Sequence, residues 1–98
     1  MDYTEAVRLA RTGNERVFGY LYEHTYKSKY YLALQYMKQK EAAEDVLQDA
    51  YLKAFSKLDT LEDPERFPAW LGQIVANTAK NALAKNNPLL FTEVEAQT

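Results

Sequence analysis

Asp45, Gln48, Asp49 and Leu52 stand at i, i+3, i+4 and i+7, a spacing that brings side chains to one face of a helix. Two carboxylates, an amide and an apolar group on one strip suit a basic helical partner. The charges steer such a partner, and Leu52 gives the contact a small dry centre. A solvated helix face is the ordinary origin of such a strip, and the pattern alone leaves both readings open. Farther along, Gln73, Asn77, Lys80, Ala84 and Lys85 recur on one helical face, with Asn81 beside it. Amides can match the donors and acceptors of base edges, and lysines can hold phosphates. That set suits a nucleic acid, although an ordinary wet face also accounts for it.

Covalent catalysis has little to work with. The chain has a single histidine, His24, and no cysteine, and it carries neither a glycine-rich phosphate loop nor a helical His-Glu pair for a metal. His24 lies beside an apolar stripe as an ordinary boundary histidine, without partners for acid–base work. The carboxylates near Asp45 fall on an exposed face, where nothing desolvates them or separates their pKa values. No enzyme activity, catalytic residue, metal or cofactor is expected.

The elements that position these residues read as helices throughout, since no segment alternates with period two. Helix one covers about Thr4–Arg11, with Ala6, Val7, Leu9 and Ala10 apolar and Gly13-Asn14 as its stop. Helix two starts near Glu15 and carries Phe18, Tyr22, Tyr26, Tyr30, Ala33 and Met37 as one stripe, which reads as core. No Gly or Pro marks its end, but a single helix from 15 to 58 would exceed ordinary globular lengths, so a turn is expected near 38–41. Helix three, about 41–58, turns Ala43, Leu47, Ala50, Ala54 and Leu58 inward. A loop follows through Arg66, in which either Asp63-Pro64 or Pro68 marks the start of helix four. That helix runs to about Lys85, with Phe67, Trp70, Leu71, Ile74, Thr78 and Ala82 apolar, and Asn86-Asn87-Pro88 ends it. The expected fold is all-α, a compact bundle of about four helices.

Composition bounds the class. Ninety-eight residues allow one domain, and 47% hydrophobic content with three Gly and three Pro excludes a disordered or collagen-like chain. Eight Tyr and four Phe help such a short chain to fill its core. The lack of cysteine points to a reducing cytoplasm. The first residues do not form a signal peptide, and no apolar run approaches membrane-spanning length. Net charge is only −2, but it is unevenly spread: residues 1–40 hold seven basic and four acidic groups, and residues 41–63 hold two basic and seven acidic. A strong free-standing nucleic-acid binder would carry a basic excess.

Three stretches together are similar to a known family: Glu44-Asp45-Val46-Leu47-Gln48-Asp49-Ala50-Tyr51, then Lys53-Ala54-Phe55-Ser56-Lys57-Leu58-Asp59, then Phe67-Pro68-Ala69-Trp70-Leu71-Gly72-Gln73-Ile74-Val75-Ala76-Asn77-Thr78-Ala79-Lys80-Asn81. They resemble region 2 of bacterial RNA polymerase sigma factors, most closely the extracytoplasmic-function group. Phe18-Gly19-Tyr20-Leu21-Tyr22 fits the family's opening helix, and the resemblance covers about residues 5–87. It implies a domain over 1–87 that docks on the clamp helices of the polymerase's largest catalytic subunit through Asp45, Gln48 and Asp49, with Leu52 on the same strip. It also implies that the loop and helix four capture a flipped base of the promoter −10 element from the non-template strand. Leu61 and Asn77 match the positions that build that pocket, with Gln73, Lys80, Asn81 and Lys85 on the same DNA-facing side. An extruded base needs an apolar wall and an amide that reads its pairing edge. An anti-sigma factor is a further implied partner.

Three departures from the family accompany the resemblance. Leu61 stands where many members carry an aromatic, which weakens stacking. Ala76 and Ala84 stand at commonly basic places, which lowers affinity for free DNA. A second, helix-turn-helix domain that reads the −35 element has no counterpart, so 88–98 reads as a tail or the start of a linker to it. The alternative reading is a sigma-like helical adaptor that binds the polymerase or a regulator without reading DNA.

Overall fold

Asp2 opens the first helix by accepting a hydrogen bond from the Glu5 backbone N–H at 2.8 Å, which satisfies one of the free donors of the first turn. This helix, α1, is Tyr3–Ala10 and buries Ala6, Val7 and Ala10. Gly13, with φ +89°, makes the turn out of it in a left-handed conformation that glycine adopts without strain. Asn14 then caps α2, Glu15–Met37, through the Arg16 N–H at 3.1 Å. Residues 1–86 are described in this computed structural model. The expected stop at Asn86-Asn87-Pro88 and the tail or linker at 88–98 lie outside them, apart from Asn86 itself.

The turn expected near 38–41 is present, and Lys38 makes it. Its φ is +67°, left-handed without a glycine, and its N–H closes on the Leu34 carbonyl at 2.8 Å. The third helix, α3, then runs Lys40–Ser56. Leu58–Thr60 and Pro64–Arg66 form two 3₁₀ turns inside the expected loop, and α4 spans Phe67–Asn86. Pro64 therefore opens a 3₁₀ turn, capped by Asp63, while Pro68 falls in the first turn of α4. The chain is all-α, with no strand among the described residues. No described helix is long and apolar enough to cross a membrane.

Helices α2, α3 and α4 pack against one another pairwise, while α1 lies on α2 and on the turn at Pro64–Arg66. The largest fully buried side chains are Phe67, Leu21, Leu47, Leu71, Val7 and Val75. Burial of each stabilises the fold by roughly 1.5–3 kcal/mol. On α3 the inward set is as expected: Ala43, Leu47, Ala50, Ala54 and Leu58 are all buried, and the alanines allow close helix approach. The α2–α4 contact is close as well. A Cβ at Gly72 would stand 3.4 Å from Lys29 Nζ, and partial burial there lowers the pKa of the Lys29 ammonium.

The aromatic stripe of α2 is displaced from the deep core. Val17, Leu21, Thr25 and Ala33 fill the interior, whereas Phe18, Tyr26 and Tyr30 are half-buried and Tyr22 is 42% exposed. A tyrosine ring has an apolar body and a hydroxyl that needs water or a partner, so these residues line the rim of the α2–α3 junction. There Phe18 meets Phe55 at 4.6 Å between centroids and Tyr22 meets Tyr51 at 4.8 Å. Tyr51 is buried and shares a 2.6 Å hydrogen bond with Thr25 Oγ1, which itself donates to the Leu21 carbonyl. On α4 the interior goes to Phe67, Leu71, Val75, Thr78 and Ala79, with Trp70, Ile74 and Ala82 half-buried at the edges.

Candidate functional site

The inward alanines of α3 dictate what its other side presents. With Ala43, Ala50 and Ala54 against the neighbouring helices, Asp45, Gln48, Asp49 and Leu52 are all exposed, Leu52 at 65%. They form a ridge with a hollow on each flank. Toward α2, Gln48 and Leu52 border an aromatic groove of Tyr22, Tyr26, Tyr51 and Phe55. Toward α4, Asp45 and Asp49 border a cleft of about 360 Å³, whose far wall includes Thr78, Asn81 and Lys85. The strip read from spacing is thus one continuous surface, and its acidic edge faces the cationic end of α4.

Lys53 joins the two helices. Its Nζ lies 3.4 Å from Asp49 Oδ2 and donates to Thr78 Oγ1 at 3.5 Å, while the Thr78 hydroxyl donates to the Ile74 carbonyl at 2.7 Å. Both members of the ion pair are substantially exposed, so the pair contributes little to stability and leaves the carboxylate open to another cation.

Gln73, Asn77, Lys80, Asn81 and Lys85 are exposed along α4. The structure divides them between different hollows. Gln73 shares one of about 430 Å³ with the loop residues Thr60, Leu61, Glu62 and Asp63 and with Trp70. Asn77 and Asn81 share the next, smaller one with Lys53, Lys57 and Ile74. Leu61 and Asn77, expected to share one pocket, line two different hollows of this structure. Leu61 is only 5% exposed and belongs to the hydrophobic core, because an aliphatic side chain on this loop gains more by burial than by lining a wet hollow.

Four residues escaped sequence reasoning. Trp70, half-buried, supplies the aromatic surface beside the loop that Leu61 lacks. Lys53 of α3 and Lys57 at its C-terminal cap add two cations beside Asn77. Arg11, at the C-terminal cap of α1, holds the loop, donating from Nε and Nη2 to the Leu58 carbonyl at 3.3 and 3.2 Å and from Nη2 to the Leu61 carbonyl. Spacing along a single helix shows none of these, because each contact crosses between elements; only the aromatic type of Trp70 was itself a signal. Among the described residues, no three histidine or acidic side chains form a metal-ligand group.

The arrangement offers an acidic ridge with an apolar centre next to a face of amides, lysines and one indole. Such surfaces can bind and orient a partner. Comparison with known proteins agrees in kind. The family model described as Sigma-70 region 2 matches residues 21–88. The chain is 33% identical over 66 residues to the RNA polymerase sigma factor SigV of Bacillus subtilis (strain 168), covering 67% of this chain and 40% of that protein. It is 34% identical over 80 residues to the ECF RNA polymerase sigma-E factor of Escherichia coli (strain K12), covering 79% and 40%. To the ECF RNA polymerase sigma factor SigW of Bacillus subtilis (strain 168) it is 24% identical over 96 residues, covering 97% and 51%. The chain thus spans from two fifths to half of the length of these relatives. No solved structure gives a significant match.

Proposed function

This chain belongs to the sigma-70 region 2 family, and from that membership we propose that it serves transcription initiation as the region 2 domain of an extracytoplasmic-function sigma factor. It docks on core RNA polymerase and reads the −10 element of promoter DNA, and the polymerase performs the chemistry. The observation that carries the reading is the pairing of two exposed faces. The ridge of Asp45, Gln48, Asp49 and Leu52 stands beside the α4 face of Gln73, Asn77, Lys80, Asn81 and Lys85, and Lys53 bridges them.

In this reading the ridge meets the basic clamp helices of the largest catalytic subunit, with Asp45 and Asp49 as charge partners, Gln48 as a hydrogen-bonding centre and Leu52 in the dry middle. The second face receives the non-template strand. Trp70 and the loop offer a surface on which an unstacked base can rest, Asn77 offers donor and acceptor to a base edge, and Lys53, Lys57, Lys80 and Lys85 neutralise phosphates. An anti-sigma factor would gain most by covering the ridge, since that single step excludes the polymerase.

The recessed Leu61 and the near-neutral charge support the second reading, an adaptor that binds polymerase without reading DNA. One experiment separates the two: core polymerase pull-down, followed by crosslinking of the complex to single-stranded −10 oligonucleotides. Capture of polymerase with base-dependent crosslinks to α4 supports the sigma role. Capture without base-dependent crosslinks supports the adaptor.

A further inference from the structure

We infer that Arg11 is a positioning residue for base capture, holding the loop over residues 58–63 in the geometry that gives the −10 site its selectivity. The inference rests on the functional reading above. Arg11 follows α1, and its own N–H is tied to the Val7 carbonyl at 3.0 Å, so the base of the side chain is fixed. Its guanidinium then spans 47 to 50 residues of sequence to reach the carbonyls of Leu58 and Leu61, which stand at the two ends of the first 3₁₀ turn. A planar fork of donors can hold two acceptors at a fixed separation, which a single ammonium cannot do.

Burial of the Leu58 and Leu61 side chains anchors the loop in the core, but it leaves the orientation of the backbone to hydrogen bonds. Its own hydrogen bonds are local: Thr60 to the Lys57 carbonyl, Leu61 to that of Leu58, and Arg66 to that of Asp63. Among the described residues, Arg11 is the one side chain from a distant element that hydrogen-bonds to it. A second tie lies at the far end, where Tyr3 of α1 stacks on Phe67 with ring centroids 6.0 Å apart. Helix α1 thus brackets the whole connection, at its start through Arg11 and at its end through Tyr3. The bracketed residues Thr60, Leu61, Glu62 and Asp63 form the wall facing Trp70 and Gln73. A wall that shifts by an ångström loses discrimination between bases before it loses binding, because selectivity depends on positioned contacts.

The test uses the chain bound to core polymerase and a pool of single-stranded oligonucleotides randomised over the −10 element, with enrichment read by sequencing. Arg11→Ala should keep core affinity within about twofold. It should cut the preference at one or two −10 positions by about fivefold or more, the low end of what one good base contact discriminates. Arg11→Lys keeps the charge but loses the fork, so it should fall between Ala and wild type. Amide exchange over 58–63 should speed up in both variants. An unchanged preference profile in Arg11→Ala would overturn the inference. So would an equal loss at every position that Arg11→Lys fully restores, since that pattern belongs to a phosphate-binding charge. Should Arg11→Ala fail to fold, the same criteria apply to Arg11→Lys, with full wild-type selectivity as the overturning result. A wild-type chain that binds core yet enriches no sequence would overturn the functional reading itself, and the inference with it.

Discussion

Asp49 and Lys53 form an i, i+4 ion pair of 3.4 Å at the seam between the acidic ridge of α3 and the amide face of α4. The carboxylate lies on the ridge proposed for docking, and the ammonium turns toward Thr78 on the other helix. A basic partner arriving at Asp49 competes with Lys53 for the carboxylate. In the proposed complex, docking on one face would therefore change the charge available at the other.

The first prediction follows from that position. Asp49→Lys should weaken core polymerase binding by ~1–3 kcal/mol, because it sets two cations against each other across the interface. The fold should survive, since the lost pair is exposed and contributes at most about 0.5 kcal/mol. Titration of labelled chain with core polymerase, alongside thermal melting of the free chain, measures both. Unchanged affinity would remove Asp49 from the interface.

Lys38 provides a test of the fold. Its left-handed φ of +67° strains an L side chain, whereas glycine adopts it freely. Lys38→Gly should raise stability by ~0.5–1 kcal/mol net of the larger backbone entropy that glycine loses on folding. Chemical denaturation of both chains is sufficient. A destabilised variant would mean that the α2–α3 turn draws on side-chain contacts of Lys38.

Much of this was legible in the sequence where a single helix decides the outcome. The ridge of α3 needs only the 3.6-residue period, because inward Ala43, Ala50 and Ala54 oblige Asp45, Gln48 and Asp49 to face water. Other features depend on how helices meet, and a period within one helix carries no information about that. Tyr22 has the hydrophobic spacing of a core residue, yet the crossing with α3 gives the interior to Leu21. The family resemblance gives Leu61 a pocket position, yet its side chain is buried and its carbonyl is held by Arg11, fifty residues earlier in the chain. The turn at Lys38 was required by length alone, since its residue type gives no sign of a left-handed conformation.

Tyr51 gives a pH prediction. Burial pushes its phenol up to about 12, with the Thr25 hydrogen bond pulling the other way, whereas an unfolded tyrosine titrates near 10. The folded chain thus keeps a proton that the unfolded chain has lost. The contribution to stability is complete below about pH 10 and disappears as pH rises toward 12, a loss of at most about 2.7 kcal/mol before solvent screening reduces it. Tyr51→Phe should flatten that slope in urea unfolding measured across the range. An unaltered slope would assign the alkaline loss to other tyrosines.

The last prediction concerns the two hollows of α4. Gln73 lies with Trp70 and the loop, and Asn77 lies with Lys53 and Lys57, one helical turn farther on. A strand laid along α4 would meet them with successive nucleotides, since one turn advances about 5.4 Å. Asn77→Ala should then blunt discrimination at one −10 position by ~1–3 kcal/mol, and Gln73→Ala at a neighbouring one. Core affinity should hold in both variants, because the docking ridge is on α3. Residues that read different bases without sharing a partner should act additively, so the double variant should lose both preferences to within about 0.5 kcal/mol of their sum. If Asn77 only solvates the helix, alanine, the better helix former, would leave promoter choice alone and raise stability slightly. Transcription from promoters altered one base at a time decides between these outcomes. Loss of preference at a single shared position in both variants would show that the two hollows work as one pocket, against the division seen here.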